Sequence, residues 1–323
     1  KVNVDFTSGH ADGNVIHVRP DVVKQTLHGI GSSFTESSAF VLAHLSKAKR
    51  LQVMNRIYSE EGANFSLART VIGACDFSVA GKFSYDDIKD DMTLEHFSIA
   101  PDLDGFSKNK YPGIQDTGFD LLPMIKQALA IKQQQHDSDL EIIASAWTAP
   151  AWMKDIEEWY IPGSEENDFQ GTGGVLKKGY EKYYADYLIM YLEHYKNQGV
   201  NIWSITPVNE PGGNNGQWES MHFSADSQND FIKHHLGPAL HHSNHADVKL
   251  LIYDHNRDGL EHWAQLLYND DETSQYLHGA AVHWYDSTFK VHEDVFERVH
   301  NTFPQYEIIH TEGTVDDLGR DAP

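Results

Sequence analysis

The feature that most constrains this chain is an alternation: a short apolar run, a loop, then a longer amphipathic stretch, repeated from end to end. Leu27–Phe34 is the first apolar run. Ser38–Ser59 follows with helical periodicity, placing Phe40, Leu42, Leu45, Leu51, Met54 and Ile57 roughly on one face. The remaining runs are Phe65–Ile72, Glu141–Trp147, Asn201–Pro207, Lys249–Tyr253, Gly279–Trp284 and Glu307–Thr311. Helical stretches separate them at Leu121–Gln135, at Gly179–Gln198 (closed by Gly199), and at Ala225–His242, Gly259–Tyr268 and Phe289–Asn301. Strands that alternate with helices build βα units and a parallel sheet.

An open doubly wound sheet and a (β/α)8 barrel both satisfy that pattern. The barrel is the better expectation. Polar and aromatic residues collect just after the runs: Trp147, Asn209-Glu210, Asp254-His255, His283-Trp284-Tyr285 and Glu312. A barrel carries its chemistry on that C-terminal rim. The glycine fingerprint of a dinucleotide fold is missing, because Gly29-Ile-Gly31 lacks its third glycine and Gly171-Thr-Gly-Gly174 follows no strand. Seven strands are visible, whereas closure takes eight. Residues 1–26 alternate apolar and polar (Val2, Val4, Phe6; Val15, Ile16, Val18) and read as a β-hairpin outside the barrel. The expected division is therefore 1–26 for that hairpin and 27–323 for the barrel. The long stretch Phe77–Phe119, rich in Asp and Tyr, reads as a decorated rim.

Charge narrows the partners. The chain has 25 Lys+Arg against 48 Asp+Glu, a net charge of −23, which excludes phosphate-backbone binding by a basic surface. No run reaches the roughly 18 apolar residues of a membrane span. Cys75 is the one cysteine, so no disulfide framework exists; between Ala74 and Asp76 it reads as a packing residue.

Two glutamates stand apart from the surface population. Glu210 lies in Thr206-Pro-Val-Asn-Glu-Pro211 and Glu312 in Ile308-Ile-His-Thr-Glu-Gly313. A glutamate is ordinarily an exposed surface group or a helix cap. Both of these follow apolar runs, where a charge is costly unless used, and both fall on one rim of a barrel. Two carboxyl groups across a scissile bond are the requirement of glycoside hydrolysis. Trp147 and Tyr285 offer flat apolar faces suited to sugar CH groups, and Trp152 and Trp218 lie on loops at the same end. Trp203 and Trp284, inside strands, read as core.

Other signals carry less. His234, His235, His241, His242 and His245 are dense enough to raise a metal site, but no His-Glu-x-x-His occurs and a solvated helix end explains them. Ser32 and Ser33 lack a nucleophile-elbow pattern. Asn64-Phe-Ser66 matches a glycosylation acceptor but opens a buried run. Asp86–Asp91 reads as a solvated loop at the rim.

The chain resembles glycoside hydrolase family 30, the glucosylceramidase and β-1,6-glucanase family. The matching stretches are Gly29-Ile-Gly-Ser-Ser-Phe-Thr-Glu36, Tyr58-Ser-Glu-Glu-Gly62, Gly73-Ala-Cys-Asp-Phe-Ser78, Trp147-Thr-Ala-Pro-Ala-Trp152, Pro207-Val-Asn-Glu-Pro211, Ala281-Val-His-Trp-Tyr285 and His310-Thr-Glu-Gly313. They run in family order over nearly the whole chain. The resemblance implies a retaining β-glycosidase on a (β/α)8 barrel, with no metal and no organic cofactor. It implies Glu210 as general acid/base and Glu312 as nucleophile. Asn209 would hold the sugar 2-hydroxyl, and Asp76 and Trp147 its outer hydroxyls. Arg69 would keep Glu312 ionised, Tyr285 would bond beside it, and His283 would support the floor. Apart from the resemblance, Trp218 is expected to add a substrate contact from its loop at the same end.

The family also implies an eighth strand and an accessory β-sandwich to which residues 1–26 contribute. The C-terminal share of both is missing from this sequence, so a second chain or further segment is expected to complete the barrel. The expected substrate is a β-linked glucoside or glucan, a glycolipid included, met by a secreted or periplasmic protein. Alternatives within the chemistry are an endo-β-1,6-glucanase, a β-xylosidase or a β-fucosidase. Outside it stands a carbohydrate-binding fragment without turnover.

Overall fold

The computed structural model describes residue 9 and residues 13–135, 139–167, 172–213, 216–287 and 289–314. Seven parallel strands form one sheet: β1 (Gly31–Ser33), β2 (Leu67–Ile72), β3 (Glu141–Ala146), β4 (Ser204–Thr206), β5 (Lys249–Asn256), β6 (Gly279–His283) and β7 (Glu307–Glu312). Their order in space is their order in sequence. A doubly wound sheet must reverse its order at a switch point. A strictly sequential order is the wall of a (β/α)8 barrel, and it decides between the two architectures the alternation allowed. β1 sits tightly on β2, because Gly31 has no Cβ to meet the Leu67 carbonyl oxygen.

Helices pack on the outside: α1 (Glu36–Ala43), α2 (Lys47–Tyr58), α3 (Leu121–Gln133), α4 (Glu181–Asn197), α5 (Ala225–Phe231), α6 (Gly237–His242), α7 (Leu260–Tyr268), α8 (Asp271–Ser274) and α9 (Glu293–Thr302). The stretch expected as one helix over 38–59 is two. The chain turns at His44, and Ser46 opens α2 by accepting a hydrogen bond from the Lys49 N–H. The stretch 225–242 is likewise interrupted by a π-helical turn, Ile232–Leu236.

Two layers fill the inner side of the sheet. Ile143, Leu251, Ala281 and Ile309 form a small apolar cluster. Two residues further along β3, β6 and β7 stand Ser145, His283 and Thr311, and three further along β5 stands Asp254. Strand alternation thus places a polar layer directly above an apolar one, at the C-terminal end of the strands. Register shifts at Tyr253/His255 and Val282/His283 re-aim side chains there.

The stretch 77–119 has little regular structure but is held firmly. Asp102, on the short turn Ala100–Asp102, accepts hydrogen bonds from Tyr85 (2.7 Å) and from Tyr195 on α4 (2.6 Å). The Tyr85 N–H donates to the Tyr187 hydroxyl. Tyr184, Tyr187, Tyr191 and Tyr195 lie along one face of α4 and are fully buried against this loop and the outside of the barrel. Residues 13–30 form no β-ladder among the described residues, and Ile16, Val18 and Val23 stand exposed.

Candidate active site

Asp254 is the hub of the rim. It is fully buried and takes four hydrogen bonds. Arg69 on β2 and Thr206 on β4 donate to one oxygen, each at 2.8 Å. Thr311 on β7 (2.6 Å) and His283 on β6 (2.9 Å) donate to the other. Five strands therefore meet at one carboxylate. Burial opposes its charge, but the Arg69 guanidinium and the His283 imidazole outweigh it and hold Asp254 well below the usual carboxylate range. The backbone is bent to place it: Tyr253 and Asp254 both have positive φ, +75° and +63°.

Arg69 distributes the rest. Its guanidinium reaches Glu312 through one nitrogen, and both Asp254 and Asn209 (2.7 Å) through another. Its Nε donates to Ser145. The planar fork of arginine suits this multiple contact. Glu312 takes a second hydrogen bond from the Tyr285 hydroxyl, 3.1 Å away. Tyr285 is itself placed by its N–H to Asn256 Oδ1 and by the Thr314 N–H onto its hydroxyl. Burial, with the Glu312 charge beside it, pushes the Tyr285 phenol upward, so it stays a donor.

His283 links the hub to the second glutamate. Its Nε2 faces Asp254 and its Nδ1 lies 3.0 Å from Glu210 Oε1. Burial lowers an imidazole, but Asp254 and the two hydrogen bonds prevail and raise His283 to about 9. Both ring nitrogens therefore donate. Glu210 has φ +46°, a left-handed conformation unusual for a non-glycine residue and more so before a proline. It is anchored by its N–H to the Asp254 carbonyl (2.9 Å).

The two glutamates face each other. One carboxylate oxygen of Glu210, one of Glu312 and a ring nitrogen of His283 all lie within 4.8 Å of one another. The same spacing would also suit three metal ligands, one oxygen from each glutamate and a His283 ring nitrogen.

Asn209 is buried, and its Oδ1 is committed to Arg69. That fixes the amide with its NH2 as the free end, a donor. The Arg69 guanidinium carbon lies 4.8 Å from the centre of the Trp147 ring. Asp76 opens to solvent on its outer side. Desolvation on its inner side, then the charges of Glu312, Glu210 and Glu219, hold its carboxyl up at about 6. Its loop is pinned by Glu36, the last residue of the first matching stretch, which accepts the Val79 and Ala80 N–H groups. Trp218 is half-buried and joins Glu219 on the loop after β4.

The residues singled out from sequence thus come together in one cluster built on Arg69, Asn209, Glu210, His283, Tyr285 and Glu312, with Trp147 and Asp76 at its side. Asp254 was seen as a strand-end polar residue but was not assigned a role. The signal that marked Glu210 and Glu312, a charge directly after the apolar run Leu250–Tyr253, marks it equally. Ser145, Thr206 and Thr311 were missed because a small hydroxyl inside a strand has no distinctive spacing. The histidines after α5 do not assemble: His245 instead bonds Glu193 on α4 (3.0 Å), and among the described residues they form no group within metal-ligand distance.

Comparison with known proteins agrees with this fold. The profile of the Glycosyl hydrolase family 30 TIM-barrel domain matches residues 27–322. The lysosomal acid glucosylceramidase of Mus musculus is 29% identical over 306 residues, covering 94% of this chain and 54% of that protein. An endo-1,6-β-D-glucanase of Neurospora crassa is 28% identical over 297 residues, covering 91% and 54%. A solved endo-β1,6-glucanase superposes with a TM-score of 0.73 at 27% identity, covering 94% of this chain and 61% of that one. The chain spans about half the length of the curated relatives it matches.

Proposed function

The chain belongs to glycoside hydrolase family 30, and from that premise we propose that it hydrolyses β-glucosidic bonds by double displacement, as an exo-acting glucosylceramidase-like β-glucosidase. The observation that carries the reading is that one carboxylate oxygen of Glu210 and one of Glu312 lie within 4.8 Å of each other. Retaining enzymes hold their carboxyl groups about 5–5.5 Å apart, whereas inverting ones leave about 6.5–9.5 Å for a water.

Glu312 is the nucleophile: Arg69 and Tyr285 both donate to its carboxylate and hold it in place. It attacks the anomeric carbon while Glu210 passes a proton to the leaving oxygen. Glu210 then takes a proton from the incoming water, which releases the sugar and frees Glu312. His283 orients Glu210 through Oε1, leaving the other oxygen for this traffic. The Asn209 NH2 binds the 2-hydroxyl, Asp76 and Trp147 bind outer hydroxyls, and Trp218 adds an outer contact. The substrate is a β-linked glucoside or glucan, glycolipids included. The endo-1,6-glucanases among the relatives support a second reading, internal cleavage of a β-1,6-glucan.

The accompanying proposals are coarser. Residues 1–26 contribute strands to an accessory β-sandwich beside the barrel of 27–323. An eighth strand, on a further segment or second chain, pairs into the open edges of β1 and β7. No described helix is long and apolar enough to cross a membrane; the working place is outside the cytoplasm, secreted or periplasmic.

The test is hydrolysis of 4-nitrophenyl β-glucoside and of a β-1,6-glucan by the protein and its Glu312→Ala variant. Turnover that the substitution abolishes supports the reading. Sugar binding without hydrolysis at high enzyme concentration makes the chain a binding fragment and overturns it.

A further inference from the structure

We propose that Lys154 is a positioning residue whose buried ammonium ties together the two loops walling the site beside Asp76, and so governs how the substrate is held beyond the cleaved sugar. This rests on the hydrolase reading. Lys154 follows Trp152-Met153 and is completely enclosed. Its Nζ donates to three carbonyl oxygens and to no side chain: Trp159 (2.7 Å), Gly173 (2.9 Å) and Ser220 (2.9 Å). The first two belong to the chain after β3, the third to the loop after β4. An ammonium has three N–H donors, and here each has one acceptor.

The two loops meet around this point. The Asp155 N–H donates to Val175 and the Ile161 N–H to Thr172, closing the first loop on itself. The His222 N–H donates to Gly174 and the Phe223 N–H to Pro211, which fasten the second loop to the first and to the end of β4. Gly173 lies so close to Ser220 that a Cβ would overlap it. Trp218 and Glu219 immediately precede Ser220, and the Glu219 charge is felt at Asp76, which in turn feels both catalytic glutamates. A side chain that fixes Ser220 therefore fixes the wall these two residues form.

A buried charge with no carboxylate partner is costly. Dispensing with it would leave three buried carbonyl oxygens without donors. The cost also makes the clamp sensitive to pH. Burial lowers the Lys154 ammonium to about 7, opposed by Asp155 and Glu158 on its own loop and by Glu219 across from it, and assisted by Lys82 from the loop after β2. Deprotonation leaves two N–H donors for three carbonyls, so one loop is released as pH rises through that value.

Amide hydrogen exchange on the protein and on Lys154→Met tests this, alongside kinetics with 4-nitrophenyl β-glucoside and the β-1,6-linked trisaccharide of glucose. The expected result is a loss of protection by 10-fold or more at 159–161, 172–175 and 220–223 in the variant, with α3 unchanged. The trisaccharide KM should rise 10-fold or more, with kcat on the aryl glucoside within 3-fold. Unchanged protection in both loops, or equal changes on both substrates, overturns the proposal. Should the variant fail to fold, exchange in the unmodified protein at pH 5.5 and 8.5, corrected for intrinsic rates, decides. Selective loosening of one or both loops at pH 8.5 supports the clamp, and protection unchanged in both overturns it. Absence of hydrolysis by the unmodified protein overturns the enzymatic reading alone, because the exchange data still report on Lys154.

Discussion

Asp254 and Asp102 are the same residue type, each at most 2% exposed and each bonded through short contacts to neighbours, yet they adopt opposite charge states at pH 6. Around Asp254 stand a guanidinium and an imidazolium, and the carboxylate stays ionised. Around Asp102 stand two phenols, Tyr85 and Tyr195; burial outweighs their hydrogen bonds and holds the carboxyl up at about 7. Burial sets the cost of a charge in both places. The charge of the partner decides whether that cost is met. The first site is thereby an electrostatic hub that five strands can share. The second is a neutral joint between the 77–119 loop and α4.

The largest effect should come from Asp254→Asn. It leaves the Arg69 and His283 charges facing a neutral amide, and breaking a buried pair in this way costs about 3–5 kcal/mol. Urea denaturation should register that loss. The kcat/KM for an aryl β-glucoside should fall roughly 100-fold or more, because Glu210 and Glu312 both take their placement from this hub. Activity within 3-fold of the unmodified protein would break the distinction between hub and joint.

At the joint, Asp102→Leu leaves two buried phenols without an acceptor, at about 1–3 kcal/mol for each. Asp102→Asn supplies an acceptor and matches the neutral form, so below pH 4 it should stay within about 1 kcal/mol. Neither should change the pH optimum. The comparison fails if the Asn variant is as destabilised as the Leu variant.

The two sites also titrate with opposite signs. Asp102 is raised from 3.8 to about 7, so between those values the folded chain binds more protons than the unfolded one, and stability falls as pH rises through that window. The slope reaches at most about 1.4 kcal/mol per pH unit. Asp254 is depressed, so its contribution is present above 3.8 and lost as pH falls below it. His283 is raised from 6.5 to about 9, so its contribution is full below 6.5 and lost as pH climbs through 9. In Asp102→Asn the decline between pH 4 and 7 should shrink, while the losses below pH 4 and above pH 7 remain. Thermal melts across that range will show it.

The smallest effect concerns Cys75, one residue from Asp76 at the rim. Burial pushes its thiol upward, and the Asp76 charge adds to that. Iodoacetamide at pH 8 should leave the native protein unmodified and fully active. Rapid alkylation would show that this part of the rim opens.

Much of this arrangement is legible in the sequence because strand ends are. Apolar runs mark β2 through β7, and a charge or aromatic placed directly after such a run has few places to go except the rim. Glu210, Glu312, Trp147 and Tyr285 are found that way. The break between α1 and α2 is not, since the helical period continues across it and only the Ser46 cap signals the turn. The joint at Asp102 is invisible as well, because its partners lie 17 and 93 residues away and no local pattern encodes them. Asp254 lies between these cases. Its position after a run was readable; its four donors, drawn from β2, β4, β6 and β7, became evident only once the strands were side by side.

The central claim is that Glu210 and Glu312 are close enough for double displacement. Proton NMR of the anomeric region during the first minutes of β-glucoside hydrolysis tests it most directly. The arrangement predicts that β-glucose forms first and then mutarotates. Release of α-glucose first would mean a single displacement by water, and would contradict it.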